Sequence, residues 1–205
     1  YPGETAPGLY NLLDSHDTAR FLTLCGEDTA RYRQTAAFQM TMPGAPAVYY
    51  GDEIGMTGEN DPGCRKCMEW DTRKWNRELH DWYKKLIMLR RENKALRYGD
   101  FGSNVCEPGG YGYVRSYEGN RAYVVLNHSG EERTVSVPLY EGAGSILTEV
   151  LPGKGRYQSV ALDQRDQCHN SDIHEYRSSV VVTLGAHETK VILGPDSAAG
   201  TGESK

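Results

Sequence analysis

The chain has 205 residues, of which 38% are hydrophobic and 25% charged, and its net charge is −5. This is a globular rather than a disordered balance, with room for one large domain or two small ones. No basic stripe is available to neutralise phosphates, which argues against a nucleic-acid partner, and no apolar run approaches the ~20 residues of a membrane span.

The opening Tyr1-Pro2-Gly3-Glu4-Thr5 has no initiator Met, basic segment or apolar h-region, so it reads like the middle of a longer protein and leaves the compartment open. Leu9 to Leu13 is a short apolar run expected to form a buried parallel strand. Ser15-His16-Asp17 ends it. Thr18 to Cys25 suits a short helix capped by Ser15 or Asp17 and stopped by Gly26. Asp28 then caps a longer helix, with Tyr32, Ala36 and Met40 on one stripe, Phe38 and Met42 widening it, and Pro43-Gly44 closing it. Ala45 to Tyr50 is the next strand, with Pro46 at its start. From Gly51 to about Lys74 runs a loop rich in Gly, Asp, Glu and Asn, of a length that is usually functional inside a compact domain. Leu79, Trp82, Tyr83, Leu86 and Leu89 share one face of the clearest helix, and Arg90, Arg91 and Lys94 lie near its end, where the dipole favours cations. Residues 9–95 thus read as strand, helix, strand, loop, helix, the grammar of a β/α barrel that carries its function at the C-terminal ends of its strands.

After Leu96 the grammar changes to short alternating runs. Tyr111 to Tyr117, Ala122 to Asn127, Thr134 to Val137, Ser145 to Leu151, Tyr157 to Leu162, Ser179 to Leu184 and Thr189 to Leu193 are expected strands. Between them lie turns such as Glu118-Gly119-Asn120, His128-Ser129-Gly130 and Pro152-Gly153. Strands at this spacing predict an antiparallel β-sandwich. Asp163 to Arg177 reads as a polar surface excursion and Asp196 to Lys205 as a frayed tail.

Two constellations carry chemistry. His16-Asp17 sits where a strand ends: an acid there, beside a His that can bond hydroxyls, can stabilise the positive charge of an oxocarbenium-like sugar transition state. The bland alternative makes Asp17 a helix cap. Asp61 and Arg65, four apart in the long loop, can clamp vicinal hydroxyls as acceptor and planar donor, or can form an ordinary solvated ion pair. Asp52, Glu53, Glu59, Asn60 and Asp61 offer enough oxygen to suggest calcium, but their spacing matches no calcium loop, so no cofactor is the expectation and calcium the alternative. The five cysteines (Cys25, Cys64, Cys67, Cys106, Cys168) are an odd count without the density of a disulfide scaffold. Cys64-Arg65-Lys66-Cys67 has CxxC spacing with no second pair to complete a zinc site, and reads as reduced thiols in a loop.

Taken in order, Leu12-Leu13-Asp14-Ser15-His16-Asp17-Thr18, then Gly44-Ala45-Pro46-Ala47-Val48-Tyr49-Tyr50-Gly51-Asp52-Glu53-Ile54-Gly55-Met56, then Asn60-Asp61-Pro62-Gly63-Cys64-Arg65 and Trp70-Asp71 closely resemble the α-amylase family of glycoside hydrolases, best its neopullulanase, cyclomaltodextrinase and maltogenic amylase group. The resemblance implies the last β/α units of an incomplete TIM (β/α)8 barrel over residues 1–97, a β-sandwich C-terminal domain over 98–195 and a tail over 196–205. It implies that Asp17 is the third catalytic carboxylate, that His16 bonds the same sugar ring, and that Asp61 and Arg65 hold the neighbouring glucose on the non-reducing side. Family members cleave α-1,4-glucosidic bonds with retention through a nucleophilic Asp and an acid/base Glu on earlier strands, which this chain begins too late to contain. The implied partners are an α-glucan or cyclodextrin substrate and the upstream remainder of the barrel, and the chain alone is expected to be inactive. The sequence departs from the family's usual text at Asp14, Ala19 and Glu59, and the first and last of these adjoin the expected subsites. Two rival readings are a non-catalytic module whose sandwich docks carbohydrate and a barrel relative serving as a structural partner. Because two strands cannot close a barrel, residues 1–95 are expected to pack on the sandwich, to associate with another copy, or to deviate from the parent geometry.

Overall fold

A computed structural model of the chain describes residues 6–153, 155–162 and 176–195. Tyr1 to Thr5, nearly all of the expected surface excursion with its Cys168, and the expected tail lie outside them. The chain divides into two compact units, residues 1–91 and 92–205.

In the first unit β1 (Tyr10–Leu12) and β2 (Ala45–Ala47) pair in parallel, Tyr10 opposite Ala45 and Leu12 opposite Ala47. The parallel pairing is the one expected of consecutive β/α units. The expected burial is corrected: Tyr10 is 71% and Leu12 48% exposed. Parallel strands are buried when elements flank both edges and cover both faces, and among the described residues this sheet has only two strands. Gly44 lets them meet. Its φ is +101°, and a Cβ there would stand 2.6 Å from the Leu9 carbonyl oxygen, the acceptor of the Ala45 amide at 2.7 Å.

The helix between the strands is α2 (Thr29–Thr41), capped as expected by Asp28, whose side chain accepts from the amides of Ala30 and Arg31. Tyr32, Ala36 and Met40 are buried, and Gln39 reaches across to donate to the Asn11 and Ala47 carbonyls, tying both strands to the helix. The shorter helix needs correction. It is one turn, α1 (Phe21–Leu24), and neither Ser15 nor Asp17 caps it; the Asp14 carboxylate accepts from the Phe21 amide at 2.6 Å. The helix begins three residues late because Arg20 is extended at its cap, with φ −58° and ψ 135°.

The long loop is a chain of tight 3-10 turns, Asp52–Ile54, Gly63–Arg65 and Thr72–Lys74, leading into α3 (Arg77–Glu92). All five apolar positions read from its period are buried. Arg90 does more than complement a dipole. Its guanidinium donates to the Met40, Met42 and Gly44 carbonyls, taking up the C-terminal end of α2 and the turn into β2.

The second unit opens with a short helix, α4 (Lys94–Tyr98), and a strand, β3 (Asp100–Glu107), neither of which was expected. Then follow β4 (Gly110–Tyr117), β5 (Asn120–Asn127), β6 (Arg133–Leu139), β7 (Ile146–Leu151), β8 (Arg156–Gln158), β9 (Val160–Ala161), β10 (Ser178–Leu184) and β11 (Thr189–Leu193). They form a six-stranded sheet of order β3-β4-β5-β11-β7-β8 and a three-stranded sheet of order β6-β10-β9, antiparallel throughout. Alternate residues of both sheets, among them Val114, Tyr123, Val125, Leu147 and Ile192 from one and Val135, Val137, Val180 and Val182 from the other, close one core. The expected strand Tyr157 to Leu162 is split in two because the chain changes sheets there: buried Ser159 turns the corner, bonded to Ser145 and Gly142. On the other face of β4, buried Arg115 donates to the carbonyls of Leu96, Gly99 and Asp100, fastening α4 to the sheet.

All three tryptophans, Trp70, Trp75 and Trp82, lie in the first unit, so their fluorescence reports its unfolding alone. In urea titrations Leu86→Ala, at a fully buried position of α3, is expected to lower that unit's stability by about 2–5 kcal/mol. Ile87→Ala, next to it but 47% exposed, is expected to change it by no more than about 0.5 kcal/mol.

Candidate functional site

Two segments that follow the parallel strands make the site. After β1 the chain folds into a Ser/Thr turn: the Ser15 amide donates to Thr18 Oγ1, and the Asp17 amide to Ser15 Oγ. Its local bonds turn the side chains of His16 and Asp17 outward, 63% and 69% exposed. After β2 the 51–65 stretch doubles back so tightly that a Cβ on Gly58 would stand 2.1 Å from the Gly63 carbonyl oxygen. Only glycine permits that approach, and it presents Asp61 and Arg65 side by side.

The four expected site residues come together, with Arg65 at their centre. Its Nε lies 3.0 Å from Asp61 Oδ1 and donates to the His16 carbonyl at 2.9 Å, while its Nη2 reaches Asp17 Oδ1 at 3.4 Å. His16 Nε2 stands 3.3 Å from Asp17 Oδ2. The Cys64 thiol donates to the same His16 carbonyl. The result is an open rim of two carboxylates, an imidazole and a planar guanidinium, a set of acceptors and donors that suits adjacent hydroxyl groups.

Beneath the rim lies a buried ionic layer that local sequence patterns do not reveal. Arg20 is 1% exposed. Its Nε donates to the Cys64 carbonyl at 3.0 Å, its Nη1 to the Tyr50 carbonyl at 2.6 Å and to Asp52 Oδ1 at 3.2 Å. Its guanidinium lies 4.1 Å and 4.6 Å from the ring centroids of Tyr49 and Tyr50. Asp14 and Asp52 are both 3% exposed, two acids buried close enough for each to bear on the other. Burial, and then the neighbouring Asp14, push the Asp52 carboxyl up to about 8, against the pull of Arg20. The backbone carbonyl of Asp52 accepts from the Tyr32 hydroxyl, which is paired with that of Tyr83; burial raises the pKa of both phenols.

This layer corrects one expectation. Asp14 faces inward, where its carboxylate accepts from the first amide of α1, and it is buried away from the rim. Asp52 is turned to Arg20, Glu53 accepts from the Gly51 amide and Asp61 is held by Arg65. Among the described residues no three His, Cys, Asp or Glu side chains converge on a metal position. Cys25, Cys64, Cys67 and Cys106 are free thiols. Also among the described residues, no helix is long and apolar enough to cross a membrane.

The chain is similar to a family model and to several known proteins. The family model described as the α-amylase catalytic domain matches residues 5–77. Neopullulanase 2 of Thermoactinomyces vulgaris is 44% identical over 156 residues, 75% of this chain and 27% of that protein. A cyclomaltodextrinase of Geobacillus thermopakistaniensis is 42% identical over 75% of this chain and 26% of its own length. The chain therefore spans about a quarter of the curated relatives it matches. Among solved structures, an Anoxybacillus α-amylase superposes on 93% of this chain and 39% of its own, with a TM-score of 0.77 at 25% identity. A cyclomaltodextrinase covers 94% of this chain and 30% of its own, with a TM-score of 0.76 at 32% identity.

Two outcomes follow for the buried layer. Arg20→Ala leaves Asp52 and two carbonyls without their donor, and is expected to cost the first unit about 3–5 kcal/mol in urea unfolding followed by tryptophan fluorescence. An acid held at about 8 when folded and near 4 when unfolded is bound to its proton more tightly in the folded unit. Its contribution to stability is therefore greatest at the acid end of that window and is lost as pH rises through about 8. Melting midpoints measured from pH 5 to 8.5 are expected to show this decline in the parent chain and a flatter profile in Asp52→Asn.

Proposed function

Because this chain belongs to the α-amylase family of glycoside hydrolases, we propose that it forms part of an enzyme cleaving α-1,4-glucosidic bonds of α-glucans or cyclodextrins with retention, and that its share of the chemistry is the rim around Asp17. Retaining hydrolysis needs a nucleophile and an acid/base about 5 Å apart across the scissile bond. In this reading both come from the remainder of the barrel. Asp17 binds hydroxyls of the ring under attack and offsets the positive charge that grows at its anomeric carbon and ring oxygen as the leaving group departs. His16 bonds the same ring. Asp61 accepts from, and Arg65 donates to, the glucose on the non-reducing side, the planar fork fixing its orientation.

The observation that carries this reading is the convergence on Arg65, which touches the His16 backbone, Asp17 and Asp61 at once. Residues 48 positions apart in sequence share one small open surface. The neopullulanase and cyclomaltodextrinase relatives, by their names, point to pullulan and cyclodextrins as substrates to test.

In a reducing-sugar assay with β-cyclodextrin or pullulan the chain alone is expected to give no turnover; robust turnover would overturn its assignment as a partner lacking the nucleophile. Arg65→Lys keeps the charge and removes the fork. It is expected to weaken maltotriose binding at the amides of residues 16, 17, 61 and 65 by about tenfold in NMR titration, and unchanged binding there would sink the proposed clamp.

A further inference from the structure

The second unit holds a cavity of about 270 Å³ that the rim does not involve, lined by Asp100 and Gly102 of β3, Val114 and Ser116 of β4, Arg121 of β5, and Tyr140 just beyond β6. The strand register explains the row. Asp100 stands opposite Ser116, and Ser116 opposite Arg121, so three polar residues run side by side across one face of the sheet. Gly102, paired with Val114 two positions along, makes an apolar floor. A Cβ at residue 102 would meet only Val114 Cγ1, at 3.6 Å, so the cavity exists because a side chain is missing there.

Its polar wall is held in place from behind. Arg121 Nη1 pairs at 3.4 Å with Glu141, whose side chain is only 8% exposed. The other Glu141 oxygen accepts from the Tyr123 hydroxyl in the core. The Arg121 guanidinium lies 5.2 Å from the Tyr140 ring centroid, and that ring is backed by Tyr176 at 4.6 Å. A donor fork and an aromatic ring are therefore held in place, beside a hydroxyl and a carboxylate, which lowers the cost of ordering the first two around a ligand.

The charge pattern narrows the ligand. Arg121 is already balanced by Glu141, and Asp100 adds a negative charge at the wall, so an anion gains little. A cation would meet the guanidinium. A neutral polyhydroxylated ring gains from all four groups: hydroxyls can donate to Asp100 and accept from Arg121 and Ser116, while an apolar part of the ring meets the Tyr140 edge. The volume sits just under the ~300 Å³ lower bound usual for small-molecule clefts, which fits the end of a short chain better than its middle. We propose that this cavity is a second sugar-binding site, built wholly from the second unit, that takes the end of a short α-1,4-glucan. The choice of glucan rests on the functional reading above; the site itself does not.

The test is an NMR titration of the ¹⁵N-labelled chain with maltotriose. Shifts are expected at the Gly102, Ser116 and Arg121 amides. Gly102→Val fills the cavity and is expected to weaken binding there by about tenfold or more. Asp100→Ala, at an exposed position, removes only the carboxylate and is expected to weaken it severalfold. In Asp17→Asn the shifts at residues 102, 116 and 121 persist. Shifts confined to the rim residues would overturn the second site and leave the first reading standing. The absence of shifts anywhere would overturn both. Shifts at 102, 116 and 121 that survive both cavity variants, or that cellotriose produces equally, would overturn the site or its glucan assignment.

Discussion

The first unit depends on a single buried guanidinium. A charged Arg20 at 1% exposure is tolerable only if the groups around it replace the water it has lost, since an uncompensated buried ion costs several kcal/mol. The Tyr50 and Cys64 carbonyls and the Asp52 carboxyl do this, and the Tyr49 and Tyr50 rings add negative potential from their faces. Among the described residues its Nη2 has no oxygen acceptor, which leaves those rings as its compensation. The Arg20 backbone amide also donates to the Gly58 carbonyl at 2.8 Å. One residue just past the His16-Asp17 turn thus gathers three points of the loop that carries Asp61 and Arg65.

This arrangement separates holding from binding. The ion pairs of the rim are largely exposed, and exposed pairs of this kind contribute about 0–1 kcal/mol each. They cannot by themselves fix the rim's shape. The bonds that do so run underneath, from Arg20 to main-chain oxygens and from the Gly58 amide to Thr23 Oγ1. The rim groups are left with unfilled hydrogen-bonding capacity. Beside Arg20 two acids are buried together, and burial, then the nearby Asp14, favour the protonated form of Asp52. In the second unit Arg115 is used in the same way: a buried cation inside a ring of carbonyls joins a helix to a sheet.

What the sequence made legible follows from what each signal encodes. The five-residue apolar face of α3, the Asp28 cap of α2 and the alternation of β4, β5, β10 and β11 are local patterns, and the elements stand close to where those patterns put them. The approach of His16-Asp17 to Asp61 and Arg65 was legible through ordered motifs. Arg20, Asp14 and Asp52 were not, because a buried side-chain bond 32 residues apart leaves no periodic trace: Asp52 reads as one more oxygen in an acidic loop, and Asp14 as a neighbour of the expected subsites. The start of α1 was misplaced because three residues suited to capping lie within four positions, and only the burial of Asp14 selects among them. β3 was missed because Gly102, Ser103 and Asn104 interrupt its apolar content, and α4 because five residues are too few to show a period.

The contact between Arg65 and residue 16 has a consequence for how such a rim can change. Both Arg65 Nε and the Cys64 thiol address the carbonyl oxygen of His16, an atom that every amino acid possesses. The imidazole has no part in anchoring the loop. Mutational drift at residue 16 can therefore retune what the rim prefers while the scaffold that aims Asp17 stays put, so preference and placement are free to evolve on separate schedules.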